Sequence, residues 1–283
     1  MTLEQAKKKL SAVGQEHLLR YWDELDEVQR SYLLEQIEEL DIDLLQLVQE
    51  ESGEMPRGKL EPLGAVTVDE IQKNRHRYES VGIQALKERR VGAVLLAGGQ
   101  GTRLGLDKPK GMLNVGVEKE LYLFGQLIQN MMHVVDKVGK WIPLFIMTSE
   151  KNHKDTVDFF EEKGYFGYER KYVYFFVQKM APSVGYDGKI FMEEKYKISS
   201  SPNGNGGWFI SLEKAGLLDK ISEMGIEWLN VFSVDNVLQK IADPVFVVAV
   251  IENGCVCGSK VVAKANPNER VGVLCLEDGK PSI

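Results

Sequence analysis

Cysteine is scarce in this chain of 283 residues: Cys255, Cys257 and Cys275 are too few and odd in number for a disulfide framework. The CxC spacing of the first two is neither a redox CxxC nor a convincing zinc pair, so structural thiols in a reducing compartment are expected. No apolar run is long enough to cross a bilayer, and the opening MTLEQAKKKL lacks the apolar stretch of a signal peptide. A soluble, cytoplasmic protein with no membrane partner follows. Positive charge is also short: the net charge of −7 argues against an extended basic surface, and so against nucleic acid as a partner, while leaving room for a local cationic pocket. Internal repeats and low-complexity tails are missing. What the chain does have is 43% hydrophobic residues, enough for one large domain or a main domain with an appendage.

Residues 3 to 48 contain few helix breakers, and Leu33, Leu34, Ile37, Leu40, Leu44, Leu45 and Val48 recur at helical spacing. Two helices are predicted, about 3–27 and 31–49, with the acidic residues of 23–43 as a solvated face. From Ser52 to Val68 the chain is rich in Gly and Pro and reads as an irregular wrapping connection, followed by a helix from Ile71 to Arg89. Residues 1–90 are thus predicted to form a helical N-terminal region and linker. From residue 91 the pattern alternates. Strands are expected at 91–97, 141–149, 171–178 and 228–236. Helices are expected at 121–139, after Thr148 or Ser149 as cap, and near 207–218. A long polar excursion lies between residues 178 and 207. VFVVAVIENG (245–254) and CGSKVVAKA (257–265) read as β-rich, with a hairpin or mixed-sheet edge near the end. The expected class for 91–283 is α/β, with a mostly parallel sheet covered by helices on both faces.

LLAGGQGTRLGLDKPKGM, residues 95–112, places five glycines and three cations directly after an apolar strand. Backbone amides between a strand and a helical turn converge on anionic oxygens. Thr102 adds a hydroxyl, Arg103 a rigid donor fork and Lys110 a mobile point charge. No Walker A pattern or GxGxxG fingerprint is present. Turn chemistry alone accounts for GGQG, but Arg103 and the Pro109–Lys110 pair favour a phosphate chain. SPNGNGG (201–207) reads either as a surface turn or as a second ligand loop, with Gly204 allowing close approach and Asn205 able to donate and accept. Asp235, ending the strand VFSVDN, suits a hard divalent ion, or else merely starts a turn.

With QKMAP (178–182) and KVVAKANPNERVGV (260–273), these motifs resemble the eukaryotic-type UDP-sugar pyrophosphorylases, especially the UDP-N-acetylhexosamine pyrophosphorylases. The resemblance covers about residues 90–276 and implies a Rossmann-like nucleotidyltransferase domain. Leu96, Ala97, Gly98 and Gly99 would then surround the uracil and ribose of UTP, with Gln178 reading the uracil edge. Gly101, Thr102, Arg103 and Lys110 would receive the phosphates. Pro202 and Gly204 would lie near the nucleotide and Asn205 near the sugar phosphate. Asp235 would hold Mg²⁺. Lys264 would serve the sugar-phosphate side, a plain surface lysine being the alternative.

The implied reaction joins UTP and a sugar 1-phosphate into a UDP-sugar and pyrophosphate, with Arg103, Lys110 and Asp235 as its catalytic groups. An ionised phosphate attacks directly, so no Ser-His-Asp or Cys-His set is needed, and neither His133 nor His153 is required as a base. N-acetylglucosamine 1-phosphate is the first substrate choice. The alternatives are a UTP–glucose-1-phosphate uridylyltransferase and a non-catalytic module binding UTP or UDP-sugar. The family pattern runs on past the point where this sequence ends in GKPSI, which implies a missing C-terminal portion carrying much of the sugar pocket.

Overall fold

A computed structural model describes residues 1–42, 45, 57–101, 105 and 107–283. The chain divides into two compact units, Met1–Gly58 with Met180–Asn203, and Lys59–Lys179 with Gly204–Ile283.

In the first unit, helix α1 (Leu3–Ser11) opens with a capping box between Thr2 and Gln5, and α2 (Glu27–Glu39) with one between Asp26 and Gln29. The helix expected over 3–27 is therefore broken. Gly14 takes φ +63°, two short 3₁₀ turns follow, and Asp26 restarts the helix four residues earlier than expected. Most of the expected helical stretch past Ile42 lies outside the described residues. Leu10, Leu18, Leu33 and Ile37 form a buried cluster with Ile190 and Ile198. These last two belong to the polar excursion, which is built of an antiparallel ribbon (Met180–Pro182 with Ser200–Pro202) and a hairpin (Met192–Glu194 with Lys197–Ile198).

Two glutamines seat it on the helical segment by acting as strand edges. Gln15 donates from Nε2 to Gly188 O (2.7 Å) and accepts Ile190 N–H (2.9 Å), and Gln36 does the same with Tyr196 O (3.0 Å) and Ile198 N–H (2.9 Å).

The second unit is built on strands β1 (Val91–Leu96), β2 (Leu144–Thr148), β3 (Val173–Val177) and β4 (Trp228–Ser233), ordered β3-β2-β1-β4 and parallel throughout. Ala93 and Leu95 join a cluster with Phe124, Leu127, Ile128 and Phe160 from helices α4 (Leu123–Val138) and α5 (His153–Glu162). The alternate residue Val94 faces Leu212 and Ile221 of α6 (Trp208–Lys214) and α7 (Leu217–Glu223) on the other side. The sheet is covered on both faces, as the alternation of strands and helices predicts.

VFVVAVIENG is a helix, not a strand. Asp243 accepts the N–H of Val245, Pro244 occupies the first turn, and α8 (Pro244–Glu252) packs on α3 (Val68–Lys87). At the crossing, a Cβ on Gly82 would lie 2.1 Å from Pro244 O. CGSKVVAKA is not a strand either: Val262 is 94% exposed, and among the described residues no strand pairs this segment. A hairpin near the end does form, Cys275–Glu277 with Lys280–Ser282, and Leu60–Pro62 adds to it. Among the described residues no helix is long and apolar enough to cross a membrane.

Candidate active site

Parallel register aligns the C-terminal ends of the four strands. Leu96 stands opposite both Met147 and Ser233, and Thr148 opposite Val177. Pairing continues beyond the strand ends through Ala97 N–H to Met147 O (2.9 Å), Gln178 N–H to Thr148 O (2.7 Å) and Val234 N–H to Leu96 O (3.2 Å). The next row across the sheet is then Gln178, Ser149, Gly98, Asp235. Three of the five motifs that the sequence singles out meet in one line at the edge where open parallel sheets bind ligands.

Gly98 is buried, and a Cβ there would sit 2.5 Å from Gln178 Nε2. The Gln178 amide thus occupies the volume a side chain at 98 would need. Gln178 is 5% exposed, yet its Nε2 has no partner among the described residues, and neither has the buried Ser149 hydroxyl. Buried polar groups left open are uncommon in native folds and call for an explanation such as a ligand.

At the other end of the row, Lys110 Nζ donates to Asp235 Oδ1 at 2.8 Å. Lys110 starts a 3₁₀ turn that Gly111 presses against the core, since a Cβ at 111 would lie 2.2 Å from the ring of buried Phe124. The lysine stem runs over the glycine loop, 3.9 Å from where a Cβ on Gly99 would stand. The loop is closed on this turn by Gly101 N–H to Lys108 O (3.0 Å) and a bridge between Gln100 and Pro109. Thr102 and Arg103 lie outside the described residues.

Gly204 adopts φ +71°, ψ 174°, a region open essentially to glycine, and Asn205 begins the exposed turn that leads into α6. Pro202 ends the antiparallel ribbon of the first unit. Lys264 is exposed and donates to Pro267 O (3.1 Å). The residues brought together are therefore Gly98 with Gln178, and Lys110 with Asp235, the lysine stem passing near Gly99.

Two buried residues went unread in the sequence. Ser211 in α6 accepts Lys179 N–H and donates to Gly207 O, both at 2.8 Å, tying the residue after Gln178 to the second glycine turn. Asn152 precedes α5. Its Nδ2 donates to Ala97 O (3.0 Å) and Gly99 O (3.4 Å), while Oδ1 accepts Ser149 N–H (2.7 Å). The expected cap by Thr148 or Ser149 is not made. Thr148 Oγ1 donates instead to Phe176 O (3.0 Å), so its contact with His153 Nδ1 (2.8 Å) requires the proton on that ring nitrogen.

Asp235 is a single carboxylate, 61% exposed, and no cluster of three or more metal-binding side chains occurs among the described residues. One strand-end carboxylate with open coordination space suits Mg²⁺, which takes one or two carboxylates and fills its shell with phosphate oxygens and water. The donor chemistry fits.

A doubly covered parallel sheet with a glycine loop and a lysine at its ligand-binding edge defines an α/β protein of the nucleotide-handling class. Residues 29–283 match the family described as UTP–glucose-1-phosphate uridylyltransferase, and the chain belongs to it. It is 36% identical to UDP-N-acetylhexosamine pyrophosphorylase-like protein 1 of Homo sapiens over 297 residues, covering 98% of this chain and 59% of that protein. It is 30% identical to UDP-N-acetylglucosamine pyrophosphorylase of Saccharomyces cerevisiae over 296 residues, 98% of this chain and 62% of that one. The crystal structure of the Trypanosoma brucei uridine diphosphate N-acetylglucosamine pyrophosphorylase, in complex with an inhibitor, superposes with a TM-score of 0.83 at 31% identity, over 98% of this chain and 60% of that one. The resemblance carried by the motifs holds. The chain spans about three fifths of the length of these relatives.

Proposed function

We propose that this chain carries the nucleotide-binding half of a uridylyltransferase that joins UTP to a sugar 1-phosphate, N-acetylglucosamine 1-phosphate first among them. The observation that carries the reading is the 2.8 Å pair of Lys110 and Asp235 beside the glycine loop. Uracil lies against Gly98, with the open Gln178 amide on its edge, and Leu96 and Ala97 form the floor. The phosphates follow Gly99 and Gly101, with Thr102 and Arg103 as further ligands and Gly204 on the nucleotide side. Lys110 then exchanges its carboxylate partner for phosphate oxygen. Asp235 would hold Mg²⁺, which when bound would supply charge neutralisation to the phosphate chain. The oxygen of the sugar phosphate, positioned by Asn205 and Lys264, forms the new bond to the α-phosphorus as the bond to pyrophosphate breaks. Lys110 and Arg103 stabilise the charge that spreads onto the leaving group, so the chemistry is one of placement and electrostatics. The free thiols Cys255, Cys257 and Cys275 fit a cytoplasmic setting.

The test is pyrophosphate release by the full-length protein supplied with UTP, Mg²⁺ and a panel of sugar 1-phosphates. Release should be fastest with N-acetylglucosamine 1-phosphate. A folded protein that binds UTP but releases no pyrophosphate with any sugar would be a binding module instead.

A further inference from the structure

Asn152 touches none of the side chains assigned to the chemistry, yet it is fully buried and makes three hydrogen bonds to backbone, two of them to carbonyls of the glycine loop. Its Nδ2 holds two carbonyls, Ala97 O and Gly99 O, that flank a single residue. In a planar trans peptide the carbonyl and the following N–H point in opposite directions. Drawing both carbonyls toward α5 therefore turns the N–H groups of Gly98 and Gln100 the other way, side by side. Neither amide finds an acceptor among the described residues, although Gly98 is buried, and buried N–H groups without a partner are rare. The third bond of Asn152, from Ser149 N–H, anchors the same side chain to the end of β2, so the clamp is mounted on the sheet.

We propose that Asn152 is a positioning residue of the nucleotide site, one that presents the paired amides of Gly98 and Gln100 to acceptor oxygens of UTP. The inference rests on the nucleotide reading above and goes beyond it by assigning the group that sets the loop's geometry. A site pre-set by buried second-layer bonds loses affinity when they are cut, even though the ligand never touches them.

The test titrates UTP with Mg²⁺ into the 283-residue chain by calorimetry. Asn152→Ala should weaken binding roughly tenfold or more, the loss expected when ordered hydrogen-bonding groups must be re-formed on binding. Thr156 lies one turn further along α5, is equally buried and its hydroxyl has no hydrogen-bond partner among the described residues, so binding by Thr156→Ala should stay within about twofold of wild type. Wild-type binding with Asn152→Ala unchanged, or an equal loss in both variants, overturns the clamp alone. A wild-type chain that does not bind UTP overturns the nucleotide reading itself. If Asn152→Ala fails to fold, the wild type still decides: saturation with UTP should shift the Gly98 and Gln100 amide resonances, and resonances that stay in place refute the proposal.

Discussion

Gly98 and Gln178 share one volume, and the glycine is what lets the amide in. Gly98→Ala would drive its methyl into the Gln178 amide, 2.5 Å away, and because the obstructing atoms end a flexible side chain, the amide moves and the fold survives. The variant should stay folded while losing its preference for UTP over CTP, read from competition binding. Unchanged selectivity would detach Gln178 from base reading. On the proposed mechanism, Lys110→Ala removes a charge whose value rises as pyrophosphate departs. Turnover of the full-length protein should fall by about 30-fold to 1000-fold, corresponding to roughly 2–4 kcal/mol, with a smaller effect on UTP binding. Equal activity would make the ion pair with Asp235 merely structural. These residues were legible because each stands in a motif whose chemistry is local: a glycine where a side chain cannot fit, a lysine between Pro109 and Gly111, an aspartate at a strand end. Asn152 and Ser211 were not. Both look like ordinary helix-start or helix residues, and the partner that gives Asn152 its meaning, Ala97, is 55 residues away.

At the level of elements, the strands of the parallel sheet and the helices between them followed from period and length, but α8 did not. From Pro244 to Ile251 no residue is exposed, so this helix has no polar face and its β-branched run shows no helical period. The Asp243–Pro244 start was the better signal. The depth of that burial is set by Gly82, where the backbones of α3 and α8 touch. Gly82→Ala puts a methyl 2.1 Å from a backbone carbonyl that cannot step aside, so the helices must separate. A loss of about 1–3 kcal/mol is expected, measured as a lower denaturation midpoint of the unit that holds the sheet. An unchanged midpoint would mean that the two helices are not locked there.

Over the whole molecule, the chain builds two compact units from interleaved stretches of sequence, because residues 180–203 pack with the N-terminal helical segment. Gln15 is fully buried in that packing. Gln15→Ala leaves Gly188 O and Ile190 N–H, one of them on a buried residue, without partners, at a cost of about 1–3 kcal/mol. Limited proteolysis should then cut within residues 180–203 faster than in the wild type, and equal rates would show that the excursion is held without Gln15. The central claim is narrower than the full reaction: the edge formed by Gln178, Gly98, Lys110 and Asp235 is a uridine nucleotide site. It is tested most directly by titrating the 283-residue chain, with Mg²⁺ present, against UTP, CTP, ATP and GTP in parallel. UTP should bind about tenfold or more tightly than each of the others, the discrimination expected when a buried amide pairs with one base and is left unpaired by the rest. Equal affinity for all four, or no binding by a folded chain, would contradict it.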